Sequence, residues 1–429
     1  MKRGLLFLGV LVVVAAGAAF ASHGPWPVDA LEQAARDPAA DAVPPETGWW
    51  LGEEPAVEGP PRDPSHVVDP VPRPNTLHTV DADGTVVGWF TSIAIGADGH
   101  PVISYYDFDR GDLRLARCAD RSCTDASVQI IADGPDAGWH TDVVVGADGH
   151  PLIVYHDRHA GSLQAAHCSD AACESVTITT VDEGDGDVGL YPSVAIAPHG
   201  LPLISYYDAV EGSLKVARCQ DPACASSSTV IVDDDGNVGS FSSAAIGAGG
   251  LLLVSYHDYT REAVKLARCR TPGCEEADIR VLDDEGNVGR FTSLAVGVDG
   301  RPLVSYYDAT RGVLKVAHCR TLDCRQVRRA TVDDDTYVGR FSALAIDAHG
   351  QPVIAYRYST NADLRVARCV DRGCSEAAIV TVDHSGDVGG HVAMVLDVEG
   401  LPIISYWGNS ALKVAHCGSP GCVPYARRP

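Results

Sequence analysis

The stretch from Thr292 to Asp333 sets the pattern for most of the chain: short runs in which apolar and polar residues alternate, broken by turn formers. Thr292-Ser293-Leu294-Ala295-Val296 predicts a strand and Asp299-Gly300 a turn. Pro302 to Asp308, rich in branched and aromatic residues, predicts a second strand, after which Ala309 to Gly312 turns the chain again. Leu314 to Cys319 alternates, and Arg329 to Asp333 predicts a fourth strand.

The unit recurs seven times. The first cysteine of each C-x4-C pair falls at Cys118, Cys168, Cys219, Cys269, Cys319, Cys369 and Cys417, at intervals of 50, 51, 50, 50, 50 and 48 residues. A glycine column (Gly88, Gly138, Gly189, Gly239, Gly289, Gly339, Gly389) and a tyrosine column (Tyr105, Tyr155, Tyr206, Tyr256, Tyr306, Tyr356, Tyr406) keep step. Four short strands in each repeat predict an all-β fold: a seven-bladed β-propeller with four antiparallel strands per blade.

The chain ends predict how the ring closes. Leu77-His78-Thr79-Val80-Asp81 matches the fourth-strand sequence Thr180-Val181-Asp182 yet precedes the first complete repeat, while the last repeat stops soon after Cys422 without a fourth strand. The N-terminal strand is therefore expected to complete the last blade, which removes two open edges at once. The propeller is expected over residues 76–425, with 426–429 as a tail.

Upstream, Met1-Lys2-Arg3, the apolar run Leu5 to Ala16 and the small residues of Ala19-Phe20-Ala21 read as a signal peptide over residues 1–21. The run is too short for a membrane anchor. Residues 22–75 carry 12 of the 26 prolines without sustained periodicity, the make-up of an extended arm. Its Trp26, Trp49 and Trp50 are expected to rest on the neighbouring domain. An exported protein is expected: secreted, periplasmic or associated with the cell surface, and without a membrane span. Acids outnumber bases 57 to 33, for a formal charge of -24, and nothing basic is concentrated enough to track phosphates. That excludes nucleic acid as a partner.

All fourteen cysteines lie in the seven pairs: Cys118 with Cys123, Cys168 with Cys173, Cys219 with Cys224, Cys269 with Cys274, Cys319 with Cys324, Cys369 with Cys374, and Cys417 with Cys422. In an exported protein this spacing predicts disulfides, because zinc needs two such pairs converging and separate blades hold them apart. Each bridge would close a loop of about six residues, worth roughly 2 kcal/mol.

Blade connectivity places the links between fourth and first strands, and between second and third, on one face, the top. Two acidic elements per blade collect there. Asp81, Asp133, Asp182, Asp233, Asp283, Asp333 and Asp383 form a column whose expected role is turn chemistry within their own loops. Calcium is the alternative ligand of such carboxylates. The tyrosine column is expected between blades with its hydroxyls paired. Arg117, Arg218, Arg268 and Arg368, which share a position with His167, His318 and His416, are expected to pack between blades and pair with nearby aspartates.

A unique site must break the sevenfold pattern. Trp89-Phe90 and Trp139-His140 stand where other blades have Arg290-Phe291 or Ser240-Phe241. Blade two adds His156, blade six has Arg357-Tyr358 for Tyr-Asp, and blade seven has His391, Trp407 and Asn409. Blades six, seven, one and two are neighbours on a closed ring, so these residues are expected to form one ligand-binding sector, with aromatic faces and polar groups suited to sugars.

At Ser305-Tyr306-Tyr307-Asp308, followed by Leu314-Lys315-Val316-Ala317, the repeats resemble those of secreted bacterial propeller proteins grouped with sialidase-like, BNR-type repeats. The plan also resembles that of seven-bladed propeller lectins. The resemblance runs from about Thr76 to Cys422. The Ser-x-Asp-x-Gly-x-Thr-Trp box of sialidases is absent, so no catalytic residue is carried across. The expectation is a non-enzymatic binding or adhesion propeller that recognises a glycan or a protein with its top face. One alternative is a glycoside hydrolase or polysaccharide lyase with His140, His156 or Tyr358 as acid or base. The other is a calcium-stabilised interaction scaffold; no residue is assigned as a metal ligand.

Overall fold

The computed structural model describes residues 73–423, apart from 84, 85 and 185. The expected leader, nearly all of the arm and the tail lie outside the described residues. Within them the chain forms seven four-stranded antiparallel sheets arranged as a closed ring. Blade five runs outward through Val288–Val296, Pro302–Asp308, Val313–Cys319 and Val327–Asp333. The innermost strands neighbour one another around the ring, the first blade beside the last.

The ring closes with the N-terminal strand. Thr76–Asp81 lies outside Ala411–His416, with Leu77 opposite Ala415 and Thr79 opposite Lys413. The fastening begins further upstream than the sequence suggests. The Asn75 amide nitrogen donates to the Cys422 carbonyl (2.7 Å), its oxygen accepts from the Gly418 N–H (2.9 Å), and the Arg73 N–H donates to the Gly418 carbonyl (2.8 Å). Gly418 is required there, since a Cβ would run into the Arg73 carbonyl.

The core lies between blades. One cluster joins Leu253, Val264, Leu266 and Leu282 of blade four to Val288, Leu294, Val304 and Tyr306 of blade five; another joins blades seven and one through Leu412, Val414, Ile103 and Tyr105. The glycine column follows from this packing. Gly289 has φ +100°, and a side chain would place Cβ 2.8 Å from the Val264 Cα of the preceding blade. Both the backbone twist and the close approach demand glycine.

The tyrosine and aspartate columns interlock as clasps between blades. Tyr105, Tyr206, Tyr256, Tyr306, Tyr356 and Tyr406 each donate a hydroxyl, at 2.5–2.7 Å, to Asp81, Asp182, Asp233, Asp283, Asp333 or Asp383 on the outer strand of the preceding blade. The same carboxylates accept from Arg114, Lys215, Lys265, Lys315, Arg365 and Lys413 at 2.5–3.1 Å. Backbone N–H groups two residues on bind the free oxygen of Asp233, Asp283, Asp333 and Asp383, which is the expected turn chemistry.

Asp133 is not a member of this column. Ala132 stands opposite Leu113, where Asp182 stands opposite Leu163, and Asp133 is exposed one residue further on. At this junction Gln164 also replaces the Lys or Arg and bonds Ser162 and Thr180 instead. Acid and base are missing together, as expected if either alone would be a buried, unpaired charge.

All fourteen cysteines form the seven expected disulfides, with Cα atoms 4.7–4.9 Å apart: Cys118 to Cys123, Cys168 to Cys173, Cys219 to Cys224, Cys269 to Cys274, Cys319 to Cys324, Cys369 to Cys374, and Cys417 to Cys422. They lie at the links between third and fourth strands, away from the ring axis, and hold the outer hairpins rather than any ligand. The second partner of each pair sits in a left-handed turn: Cys123, Cys173, Cys224, Cys274, Cys324, Cys374 and Cys422 all have φ between 51° and 63°. That turn is what brings two cysteines five residues apart face to face. Seven bridges point to an oxidising compartment outside the cytoplasm. No helix among the described residues is long and apolar enough to cross a membrane.

Five members of the Arg/His column pair with an aspartate of their own blade: Arg117 with Asp98 (3.7 Å), His167 with Asp148 (2.9 Å), Arg268 with Asp278 (3.6 Å), Arg368 with Asp347 (2.8 Å) and His416 with Asp397 (3.2 Å).

Candidate functional site

Each innermost strand carries a bulge. In blade five Arg290 pairs with Tyr307 and Ser293 with Ser305, so one residue is extra, and Phe291 takes φ 55°. The equivalents Phe90, His140, Tyr191, Phe241, Phe341 and His391 have φ between 50° and 53°. A left-handed backbone costs on the order of 1 kcal/mol for each non-glycine residue. Seven such residues meet at one level of the ring.

Their side chains form a closed aromatic collar. Going round from Phe90, centroid separations are 4.5 Å to His140, 4.1 Å to Tyr191, 4.5 Å to Phe241, 4.8 Å to Phe291, 4.6 Å to Phe341, 4.6 Å to His391 and 4.7 Å back to Phe90. Seven centroids at that spacing stand about 5 Å from their common axis, and every adjacent pair is within favourable aromatic contact. With the next residue of each strand, the collar lines a cavity of about 200 Å³.

That next residue locks the collar. Thr91, Ser242, Thr292 and Ser342 donate hydroxyls at 2.7–3.0 Å to the backbone carbonyls of His391, Tyr191, Phe241 and Phe291, each in the preceding blade. They also meet serines of that blade's second strand, as Ser255 meets Thr292 (2.9 Å) and Ser305 meets Ser342 (2.9 Å). Where the pair is lost it is lost on both sides: Val154 stands with Pro192, and Ala355 with Val392. One residue deeper, Asp142 bridges three blades. Its oxygens accept from Ser92 Oγ (2.6 Å), Ser193 Oγ (3.2 Å) and the Val194 N–H (2.8 Å), and burial raises its pKa against these bonds.

Of the residues proposed from sequence, Trp89, Trp139, His140 and His391 gather at the collar. Trp89 stacks on His391 (5.2 Å), and Trp139 lies 5.2 Å from Phe90 with the Arg158 guanidinium 4.5 Å from its ring. Trp139 is only 7% exposed and His156 only 1%. Trp407 packs against Gly390, where a Cβ would meet its ring at 3.0 Å, one residue before His391. The remaining three fasten the structure. Arg357 bonds the Val388 carbonyl (2.8 Å) and Asp387 (2.6 Å) of blade seven. Tyr358 lies under the Arg365 guanidinium (3.8 Å), and Asn409 ties the Ser385 carbonyl (2.8 Å) to the Asp387 N–H (3.0 Å).

Burial governs the imidazoles. Neighbouring rings hem in His140 and His391, although part of each faces the cavity. Burial drives His140 well below its usual range, helped by His156, His391 and Arg158. His391 and His156 fall to about 3, again chiefly through burial, with Arg357 and Arg158 adding to it. Around them, both nitrogens of His140 and His156 and the indole N–H groups of Trp89, Trp139 and Trp407 are buried without a hydrogen-bond partner. The full collar was visible in the sequence only as an aromatic or histidine two residues after each column glycine. Nothing in that spacing says that a bulge turns these side chains together.

Fold and site together define a closed seven-bladed propeller with an aromatic-collared axis. No family model matches the chain, and no curated protein sequence matches it either. Among solved structures, a protein of unknown function from Dyadobacter fermentans DSM 18053 is similar over 81% of this chain and 98% of its own, at 12% identity and a TM-score of 0.48. The polysaccharide lyase Uly1 is similar over 74% of this chain and 88% of its own (10% identity, TM-score 0.46), and an alpha-L-arabinofuranosidase from Lactobacillus brevis over 63% and 94% (13%, 0.37). None of these likenesses bears on activity.

Proposed function

We propose that this is an exported, non-enzymatic binding propeller that holds a glycan at its axial collar. The carrying observation is the closed ring of Phe90, His140, Tyr191, Phe241, Phe291, Phe341 and His391, kept in place at a backbone cost in every blade. Aromatic faces take the apolar faces of sugar rings, and that is the surface the collar presents to its cavity. The cavity lining offers aromatic rings, hydroxyls and imidazoles, whereas glycoside hydrolysis ordinarily uses a pair of carboxylates. Imidazoles held at about 3 are weak bases and stay neutral at pH 7. In six of seven junctions the column aspartates already hold a Lys or Arg, which supports this reading over the calcium scaffold.

The test is a glycan array on the full chain and on Phe241→Ala/Phe291→Ala. These positions are half-buried, unlike Trp139, so the fold should survive. The expected result is a loss of roughly 5- to 150-fold in retained glycan at unchanged near-UV circular dichroism, since two aromatic contacts of about 0.5–1.5 kcal/mol each are removed. A folded variant that retains the same glycans as the parent refutes the assignment.

A further inference from the structure

On the opposite face, blade two brings together an acid and two imidazoles that no other blade unites among the described residues. Asp148 and His150 flank Gly149 in the turn between first and second strands, and His167 is the penultimate residue of the third strand, beside the Cys168–Cys173 bridge. Leu152 pairs with His167 across the sheet, which carries the histidine back to the turn. One ligand atom from each residue lies within 4.8 Å of the others. His167 Nε2 is 2.9 Å from Asp148 Oδ2, His150 Nδ1 is 3.9 Å from the same oxygen, and the two rings are 6.2 Å apart.

We propose that Asp148, His150 and His167 form a surface site for a divalent transition metal of the zinc class. Zinc takes imidazole nitrogen and carboxylate oxygen at about 2.0–2.2 Å, so ligand atoms around it stand roughly 3.3 Å apart. The observed 2.9 and 3.9 Å bracket that separation, and small side-chain rotations close it. The carboxylate is already oriented, because its other oxygen accepts the His150 N–H (3.1 Å). The disulfide next to His167 and the tight turn under His150 fix the backbone on both sides. All three side chains reach solvent, at 28%, 30% and 13% exposure, which gives an ion its route in. Three protein ligands leave a fourth position for water or a donor from another molecule.

Blade one is an internal contrast. Asp98 and His100 repeat the turn, with the His100 N–H at 3.0 Å from Asp98 Oδ1 and its Nδ1 at 3.8 Å from Oδ2, but Arg117 occupies the third position and pairs with Asp98. A guanidinium cannot ligate zinc. One residue therefore separates a site from a non-site on the same scaffold.

The experiment is titration of the EDTA-dialysed full chain with Zn²⁺ in competition with a chromogenic chelator. The parent should take up one specific equivalent. His167→Arg should lose it, by at least the roughly 10–100-fold that follows removal of even a supporting group. That variant will fold, since Arg117, Arg218, Arg268 and Arg368 are native at the same position. Arg117→His should add a second equivalent in blade one. No uptake by the parent, uptake unchanged in His167→Arg, or no second equivalent in Arg117→His would each overturn the site.

Discussion

Removing one carboxylate from a clasp between blades tests whether acid, base and phenol act as a unit. Asp383 is the cleanest case. Its Oδ2 accepts from Tyr406 (2.7 Å) and from Lys413 (2.6 Å), and its Oδ1 accepts the Ser385 N–H (2.9 Å). The side chains of Asp383 and Lys413 are 1% and 10% exposed. Burial opposes ionisation, yet the Lys413, Ser385 and Tyr406 bonds outweigh it and hold the carboxyl at about 2, against an ordinary 3.8. A depression of that size corresponds to about 2.5 kcal/mol in favour of the ionised folded state. It is fully present above pH 3.8 and fades as the pH falls towards 2.

Asp383→Ala does more than remove this contribution, because Lys413 stays charged in a site built to neutralise it. Breaking a buried pair on one side costs about 3–5 kcal/mol. The double variant Asp383→Ala/Lys413→Gln leaves no orphan charge and reproduces the Ala132 and Gln164 native at the junction of blades one and two. It should therefore lie within about 1–2 kcal/mol of the parent, less destabilised than either single variant. Urea unfolding at pH 7 with disulfides intact would measure all four corners of the cycle. If the double loss equals the sum of the two single losses, the clasp is not a coupled unit and the paired absence at Ala132 and Gln164 needs another cause.

The closing strand and a buried histidine give two more expected outcomes. Deleting residues 73–81 removes the outer strand of the last blade and leaves Tyr105 and Arg114 without Asp81, so the urea midpoint should fall well below that of the parent; unchanged unfolding would refute closure through this strand. His156 is buried 3.7 Å from Asp187 and held at about 3, so the unfolded chain gains a proton first as pH drops below 6.5. Stability should decline by about 1.4 kcal/mol for each pH unit between there and pH 3 on this account alone. His156→Tyr, which installs the residue native at Tyr106, Tyr207 and Tyr307, should lose less stability between pH 7 and pH 5 than the parent; identical losses would refute the burial argument.

Local chemistry settled much of the architecture in advance. Seven units, four strands in each, the disulfide pairs and the closing strand were legible because each depends on alternation, turn residues or a fixed spacing within one repeat. The close approach of neighbouring backbones at the glycine column, and the pairing of tyrosine with aspartate between blades, are the three-dimensional counterparts of columns already visible along the chain. The aspartate column was misread at one position: counting from the repeat chose Asp133, whereas the register of its strand buries Ala132 and leaves Asp133 in water.

Residue order alone sets the periodicity and the closure of the ring, whereas the packed fold selects which unlike positions meet. A bulge with positive φ swings seven aromatic residues from separate blades into one collar, and no one-dimensional pattern encodes that rotation. Val154 with Pro192, and Ala355 with Val392, depart from the pattern together only because their hydroxyl-bearing equivalents bond across adjacent blades. His167 reaches Asp148 and His150 because antiparallel pairing returns the third strand to the turn that began the second. Each depends on distances across the fold, which the order of residues constrains only after the ring has closed.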